Sequence, residues 1–160
     1  MKSNKPGFTL IEAVVVISLL AIVSFGIGGF ILTSMQNWML TSGREAAVNN
    51  ARNAMNRVTA ELRRINKPAN ILTAASSKCA FVDISTQVIT FEQSAANLLR
   101  NSDILAAGLG SPEGLRFTYL DANGNVTAVT QDIRSIRVWL FLFSGGQSTT
   151  LESSARIRTL

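Results

Sequence analysis

Gly7-Phe8-Thr9-Leu10-Ile11-Glu12 opens a run that stays apolar from Ala13 to Leu32 apart from Ser18, Ser24 and three glycines. No charged residue follows Glu12 until Arg44. Roughly 20 apolar residues in a row are enough to cross a bilayer as a helix, so this stretch predicts a membrane-spanning helix at the head of the chain. Glu12 stands at its entry, where an ionised side chain in lipid costs on the order of 2.5–3.5 kcal/mol or more unless a cation meets it. The obvious cation is an amino group. Cleavage after Gly7 would create one on Phe8.

Two plainer explanations of the apolar run fit less well. A secretory signal has a core of about 7–15 residues that ends at an Ala-x-Ala-like site, and here the run is longer with no such site after it. A simple signal anchor accounts for the hydrophobicity but leaves the glutamate unexplained. Lys2 and Lys5 precede the run, which by the positive-inside rule keeps the N-terminus cytoplasmic and sends the rest of the chain across.

The stretch Lys5-Pro6-Gly7-Phe8-Thr9-Leu10-Ile11-Glu12 resembles the prepilin peptidase site of type IV pilins and type II secretion pseudopilins. The resemblance implies that an inner-membrane peptidase cuts after Gly7, the last leader residue, and methylates the new N-terminus on Phe8. It also implies that Glu12 is the acidic residue that pairs with such an amine during filament assembly. The likeness is firm from Pro6 to about Leu32 and looser beyond.

Composition bounds the remainder. The chain has 160 residues and a formal charge of +5; without Lys2 and Lys5 it keeps 13 basic against 10 acidic side chains, or +3. That excess does not by itself call for nucleic acid. There is no histidine, which excludes a His-based triad or a His-ligated zinc site. Cys79 is the only cysteine, so no internal disulfide can form; many major pilins close a C-terminal loop with one, and this chain departs from that pattern. In its strand-like setting Cys79 reads as a small buried apolar residue.

The helix is expected to continue from Phe8 to about Asn66, roughly 90 Å at 1.5 Å per residue. Ala47, Ala51, Ala54, Met55, Val58, Leu62 and Ile65 recur at helical spacing, while Arg52, Asn53, Asn56, Arg57, Arg63 and Arg64 occupy the other side. Pro68 bars further helix. Gly26, Gly28 and Gly29 mark either a weak point or a place of close helix packing.

After Pro68 the period changes to two. Ala80-Val82-Ile84 and Val88 to Phe91 read as a hairpin around Ser85-Thr86-Gln87, with Asn97 to Arg100 and Ile104-Leu105 ambiguous. Leu115-Phe117-Tyr119 is a strand, and Asn123-Gly124 turns the chain into Val126 to Val129. Ile136-Val138-Leu140-Leu142 forms the longest strand, with Trp139, Phe141 and Phe143 on its other face, and Ala155 to Arg158 makes a last edge strand. Helix first and antiparallel sheet after gives an α+β, pilin-like fold: a long N-terminal helix, membrane-spanning then amphipathic, packed on an antiparallel sheet.

That order is similar to minor pilins and pseudopilins. The nearest likenesses are J-type minor pseudopilins and minor pilins of mannose-sensitive haemagglutinin type. They rest on Cys79-Ala80-Phe81-Val82, on Ile104 to Leu109 leading through Leu115-Arg116-Phe117 to Tyr119-Leu120-Asp121, and on Ile133 to Val138.

Other constellations carry less. Asp121, Asn123, Asn125 and Asp132 suggest a calcium loop, but Val126 stands where such a loop needs glycine, and a hairpin turn explains them without an ion. Arg44, Arg52, Arg57, Arg63, Arg64 and Lys67 make the outer side of the helix basic against only Glu45 and Glu61, and no aromatics are interleaved there to stack bases. No base or oxyanion context surrounds Ser153, Ser154 or Asp83, and no phosphate loop follows a strand. The expectation is therefore a non-enzyme without cofactor or metal.

The implied organisation is a leader at 1–7, a membrane and filament-core helix at 8–43 and a periplasmic domain at 44–160. The implied function is a minor pilin or pseudopilin, anchored in the bacterial inner membrane and then assembled into a pilus or pseudopilus. Its expected partners are prepilin peptidase, other pilins and an inner-membrane assembly platform, with nucleic acid not among them. The alternative is an anchored periplasmic module that recognises an exoprotein or DNA without entering a filament.

Overall fold

Thr9 starts the first helix. Its hydroxyl accepts a hydrogen bond from the Glu12 backbone N–H at 3.3 Å, the N-cap arrangement that satisfies one of the free donors of a helix start. The structure, a computed structural model, describes residues 9–144 and 146–157. Within them α1 runs from Leu10 to Leu62, and the chain divides into two units, Met1–Ser42 and Gly43–Leu160.

In the first unit α1 is long and apolar enough to cross a membrane, and its most apolar stretch buries nothing against the chain. Three of its hydroxyl groups bond back into their own helix: Ser18 donates to the Val14 carbonyl at 2.8 Å, Thr33 to Gly29 at 3.0 Å and Thr41 to Asn37 at 2.9 Å. Such bonds satisfy these donors inside the helix, as suits a lipid or dry-bundle setting.

In the second unit the amphipathic reading of α1 holds residue by residue. Ala51, Ala54, Met55, Val58 and Leu62 are buried, as is Ile65 just beyond the helix, and Ala47 is half-buried. Arg52, Asn53, Asn56, Arg57, Arg63 and Arg64 are exposed. The expected end near Asn66 is corrected to Leu62. The Arg64 and Ile65 N–H groups bond to the Glu61 and Leu62 carbonyls at 3.0 and 3.2 Å, a tightened last turn that swings Ile65 into the core. Pro68 then opens a 3-10 turn, Pro68–Asn70, instead of merely barring the helix.

The expected single sheet is two. The first has five antiparallel strands in chain order: β1 (Ile71–Ala74), β2 (Lys78–Val82), β3 (Val88–Ser94), β4 (Asn97–Arg100) and β5 (Asp103–Ala107). The second has three: β6 (Leu115–Leu120), β7 (Ser135–Ser144) and β8 (Gln147–Arg156). β1 and β5 were not expected as strands of this length, and β8 begins eight residues before the expected Ala155. One core joins α1 to both sheets, with Phe81 and Phe91 (ring centres 6.2 Å apart) on one side and Ile136, Val138, Leu140 and Leu142 on the other. The alternation foreseen for β7 is what is seen.

Two strand readings need correction. The strand expected over Ala80-Val82-Ile84 ends at Val82, and its burial does not alternate: Cys79, Ala80 and Phe81 are all buried, Val82 is half-buried, and Ile84 is 60% exposed in the turn. The largest side chain, Phe81, decides which way β2 faces, and it packs toward Phe91 and α1. Val126 to Val129 forms only an isolated bridge to Leu120. Val126 and Val129 have no apolar surface to cover and stay 75% and 54% exposed.

Polar side chains fasten these parts. The 3%-exposed carboxylate of Asp83 accepts from Ser85 N–H at 2.7 Å and Gln87 N–H at 3.1 Å, and its second oxygen meets Arg64 at 2.8 Å. The β2–β3 turn is thereby tied to the end of α1. Gln93 donates to the Ala95 and Gly110 carbonyls and accepts from Leu115 N–H at 2.8 Å, bridging the two sheets. Tyr119 donates its hydroxyl to the Ala75 carbonyl at 3.0 Å, and burial pushes its pKa upward.

Cys79 is free and buried, and burial pushes its thiol up to about 11. The thiolate is the reactive form, so Cys79 is inert in the folded chain. Thermal melts of the 43–160 unit with and without dithiothreitol should therefore coincide, and maleimide should label Cys79 only after denaturation. Rapid labelling of the native protein at pH 8 would contradict this packing.

Candidate functional site

Of the expected processing and assembly residues, Gly7 and Phe8 lie outside the described residues, and Glu12 is in the first turn of α1. The spacing Thr9-x-x-Glu12 is that of a capping box, a signal present in the sequence but overlooked there. Only half of the box is made. Thr9 caps the Glu12 N–H, whereas the Glu12 carboxylate has no hydrogen bond or ion pair among the described residues. Its side chain is exposed. A carboxylate in the first turn gains from the helix dipole by about 0.3–1 kcal/mol, far less than the cost of placing it unpaired in lipid. The dipole alone does not account for it.

From Leu10 onward past Glu12 the helix surface is apolar: Leu10, Ile17, Ile22, Phe25 and Phe30 are each more than 65% exposed. Trp38, at the far end of the run, is 72% exposed. A soluble protein rarely shows so continuous an apolar surface. Gly26, Gly28 and Gly29 are helical, and a Cβ added at any of them would meet no neighbouring atom within 4 Å among the described residues. No packing contact among those residues requires glycine there.

In the second unit, sequence reasoning missed a buried carboxylate. Glu61, 8% exposed, is gripped by Arg100 Nε at 2.9 and 2.8 Å and by Arg57 Nε at 3.1 Å. The clue was its place: Ala54, Val58, Glu61 and Ile65 follow one another at three- and four-residue steps on the buried face. Glu61 therefore does not belong with the exposed acids of the basic side. Arg100→Ala would leave this carboxylate half-compensated and should cost about 2–3 kcal/mol, read as a fall in urea midpoint. The pair Glu61→Leu with Arg100→Met should recover most of the loss; no recovery would mean that Arg100 acts through some other contact.

Asp121 is occupied by the turn it starts. It accepts from Asn125 and Asn123 N–H at 2.8 Å each, and these bonds, that from Asn125 foremost, hold its carboxyl below the usual range. Asp121, Asn123 and Asn125, weighed as a calcium loop and expected instead to form a turn, make an Asx turn closing on Gly124, whose φ is +84°; Asp132 belongs to the separate 3-10 turn Thr130–Asp132. Among the described residues no three metal-ligating side chains gather. Ser153 accepts from the Thr59 hydroxyl at 3.2 Å. On the basic side, Arg57 and Arg64 are engaged by Glu61 and Asp83.

No curated protein and no solved structure is similar enough to the chain to register as a match. Residues 2–28, the segment holding Gly7, Phe8 and Glu12, match the family model of the prokaryotic N-terminal methylation motif, a type IV pilin-like prepilin signal.

Proposed function

We propose that this protein is a minor structural subunit, a minor pilin or pseudopilin, of a type IV pilus or type II secretion pseudopilus. Prepilin peptidase removes residues 1–7 and methylates the amine of Phe8. The apolar half of α1 holds the subunit in the inner membrane with the α+β unit in the periplasm, and an assembly platform then moves it into a bundle of such helices. Glu12 pairs there with the Phe8-type amine of a neighbouring subunit, and Gly26, Gly28 and Gly29 accommodate close neighbours or local unwinding. Cofactors and catalysis have no part in this.

The observation that carries the reading is a carboxylate with no partner among the described residues, at the head of an apolar, uncovered helix and inside a methylation motif. Both the exposed helix and the carboxylate ask for other copies of the same arrangement.

The test is fractionation. In cells with an intact assembly system, the mature chain should appear in sheared filaments or crosslink to other pilins through its N-terminal helix. A chain confined to the inner membrane in every condition, uncrosslinked to any pilin, would overturn the proposal in favour of an anchored binding module.

A further inference from the structure

The three-stranded sheet ends on β8, which pairs only with β7, in an unbroken register from Ser135↔Arg156 to Ser144↔Gln147. Its other edge meets no strand among the described residues. Natural edges are usually shortened, bulged, or armed with lysine or proline to prevent pairing with another chain. β8 is ten residues long and has no bulge, lysine or proline. By contrast, the edges of the five-stranded sheet are four and five residues long. In an antiparallel edge alternate residues turn their backbone groups outward, so β8 offers about five N–H and C=O sets. The complement of such a row is another extended backbone.

A second feature lies beside that edge. On the solvent face, Trp139 and Phe141 of β7 stand near-parallel, at 5° with ring centres 5.9 Å apart, and Phe143 is 59% exposed. The segment from Gly108 to Gly114 runs along β7 through the bonds Gly110 N–H to Phe141 O, Phe141 N–H to Gly114 O and Phe143 N–H to Gly108 O. It can come this close only because Gly110 and Gly114 lack side chains: a Cβ on Gly110 would strike the Phe141 ring, and one on Gly114 the Gly110 backbone. The result is a groove of about 440 Å³ walled by Pro112 and Glu113, floored by Trp139 and Phe141, and bounded on the edge-strand side by Thr150.

Charge narrows the occupant. The cations nearest the groove are matched, Arg116 by Glu113 at 3.3 Å and Arg137 by Glu152 at 3.2 Å, while Arg156, with no ion pair among the described residues, lies at the far end of β8 from Thr150. Arg116 also lies over Trp139, 5.3 Å from the ring centre. The groove therefore carries no net charge to attract phosphate, and a neutral apolar group suits it. Aromatic anchors ringed by compensated polar groups are the usual anatomy of a protein contact. A second copy of β8 suits it poorly, because its cross-strand partners of Trp139, Phe141 and Phe143 are Glu152, Thr150 and Ser148, too small or too polar to fill the groove.

We infer that β8 accepts an extended strand from a different protein, which pairs with its open edge and lays a bulky apolar side chain over Thr150 into the Pro112–Trp139–Phe141 groove. Backbone bonds supply affinity and the groove supplies selectivity, as in other strand additions. The inference does not depend on filament assembly.

The test is selection of decapeptides from a random display library against the full chain in detergent micelles. Enriched peptides should carry bulky apolar residues at every second position. N-methylating their backbone at alternate positions should weaken binding at least tenfold at one parity and hardly at the other. Trp139→Ala should weaken the same peptides without changing that parity. No enrichment, or enriched peptides indifferent to N-methyl parity, would overturn the inference. So would a concentration-dependent dimer of the chain abolished by Thr150→Pro, which would assign the edge to a second copy.

Discussion

Replacing Glu12 with alanine is expected to leave membrane insertion and cleavage intact and to lower incorporation into filaments at least about tenfold. Insertion is safe because removing a charge only makes the span more apolar. The helix start is safe because its cap is the Thr9 hydroxyl on the Glu12 backbone N–H, which survives the substitution. Loss of the carboxylate from the helix dipole costs about 0.3–1 kcal/mol, too little for a tenfold effect, which needs about 1.4 kcal/mol. A buried amine stripped of its counter-charge costs about 3–5 kcal/mol, and that term dominates. Glu12→Gln should be intermediate at best. Thr9→Val is the control, since it removes the cap, worth about 1 kcal/mol, and keeps the charge. Thr9→Val reducing assembly as severely as Glu12→Ala would shift the role of this turn from charge pairing to helix initiation.

Gly7→Trp is expected to arrest processing, so that full-length precursor accumulates in the membrane and no mature chain is detected on immunoblots. A peptidase must bring catalytic groups against the backbone at the scissile bond, and glycine presents no side chain there. Gly7→Ala adds one methyl group and should slow cleavage only mildly. Normal maturation of Gly7→Trp would mean that the processing site lies elsewhere.

The sequence and the structure agree most closely where one period dominates. Six apolar residues from Ala51 to Ile65 announce the buried face of α1, and Ile136 to Leu142 the buried face of β7, because burial imposes those spacings directly. Agreement fails where position depends on distant partners. β4 and β5 are too short to show a period; β4 is placed by its pairing with β3, and β5 by its pairing with β4. The course of the 108–114 segment along β7 turns on Gly110 and Gly114, whose need for a bare backbone is visible only once the segment is folded against Phe141. Val126 to Val129 has strand-like composition, but the sheet offers it no face to cover.

The candidate site shows the same contrast. Glu12 draws notice in one dimension because a carboxylate beside twenty apolar residues is anomalous anywhere. Glu61 is no less anomalous, yet it hides between Ala60 and Leu62 until helical phase puts it on the buried side and Arg100 arrives from β4. The aromatic row of β7 was legible as a face but not as a groove, since its wall comes from a loop thirty residues earlier.

The most direct test is mass spectrometry of the N-terminal peptide from mature protein in cells with a prepilin peptidase. The expected chain begins at Phe8 and carries one N-methyl group on its amine. A chain that retains Met1 to Gly7, or that begins after Phe8, would contradict this expectation.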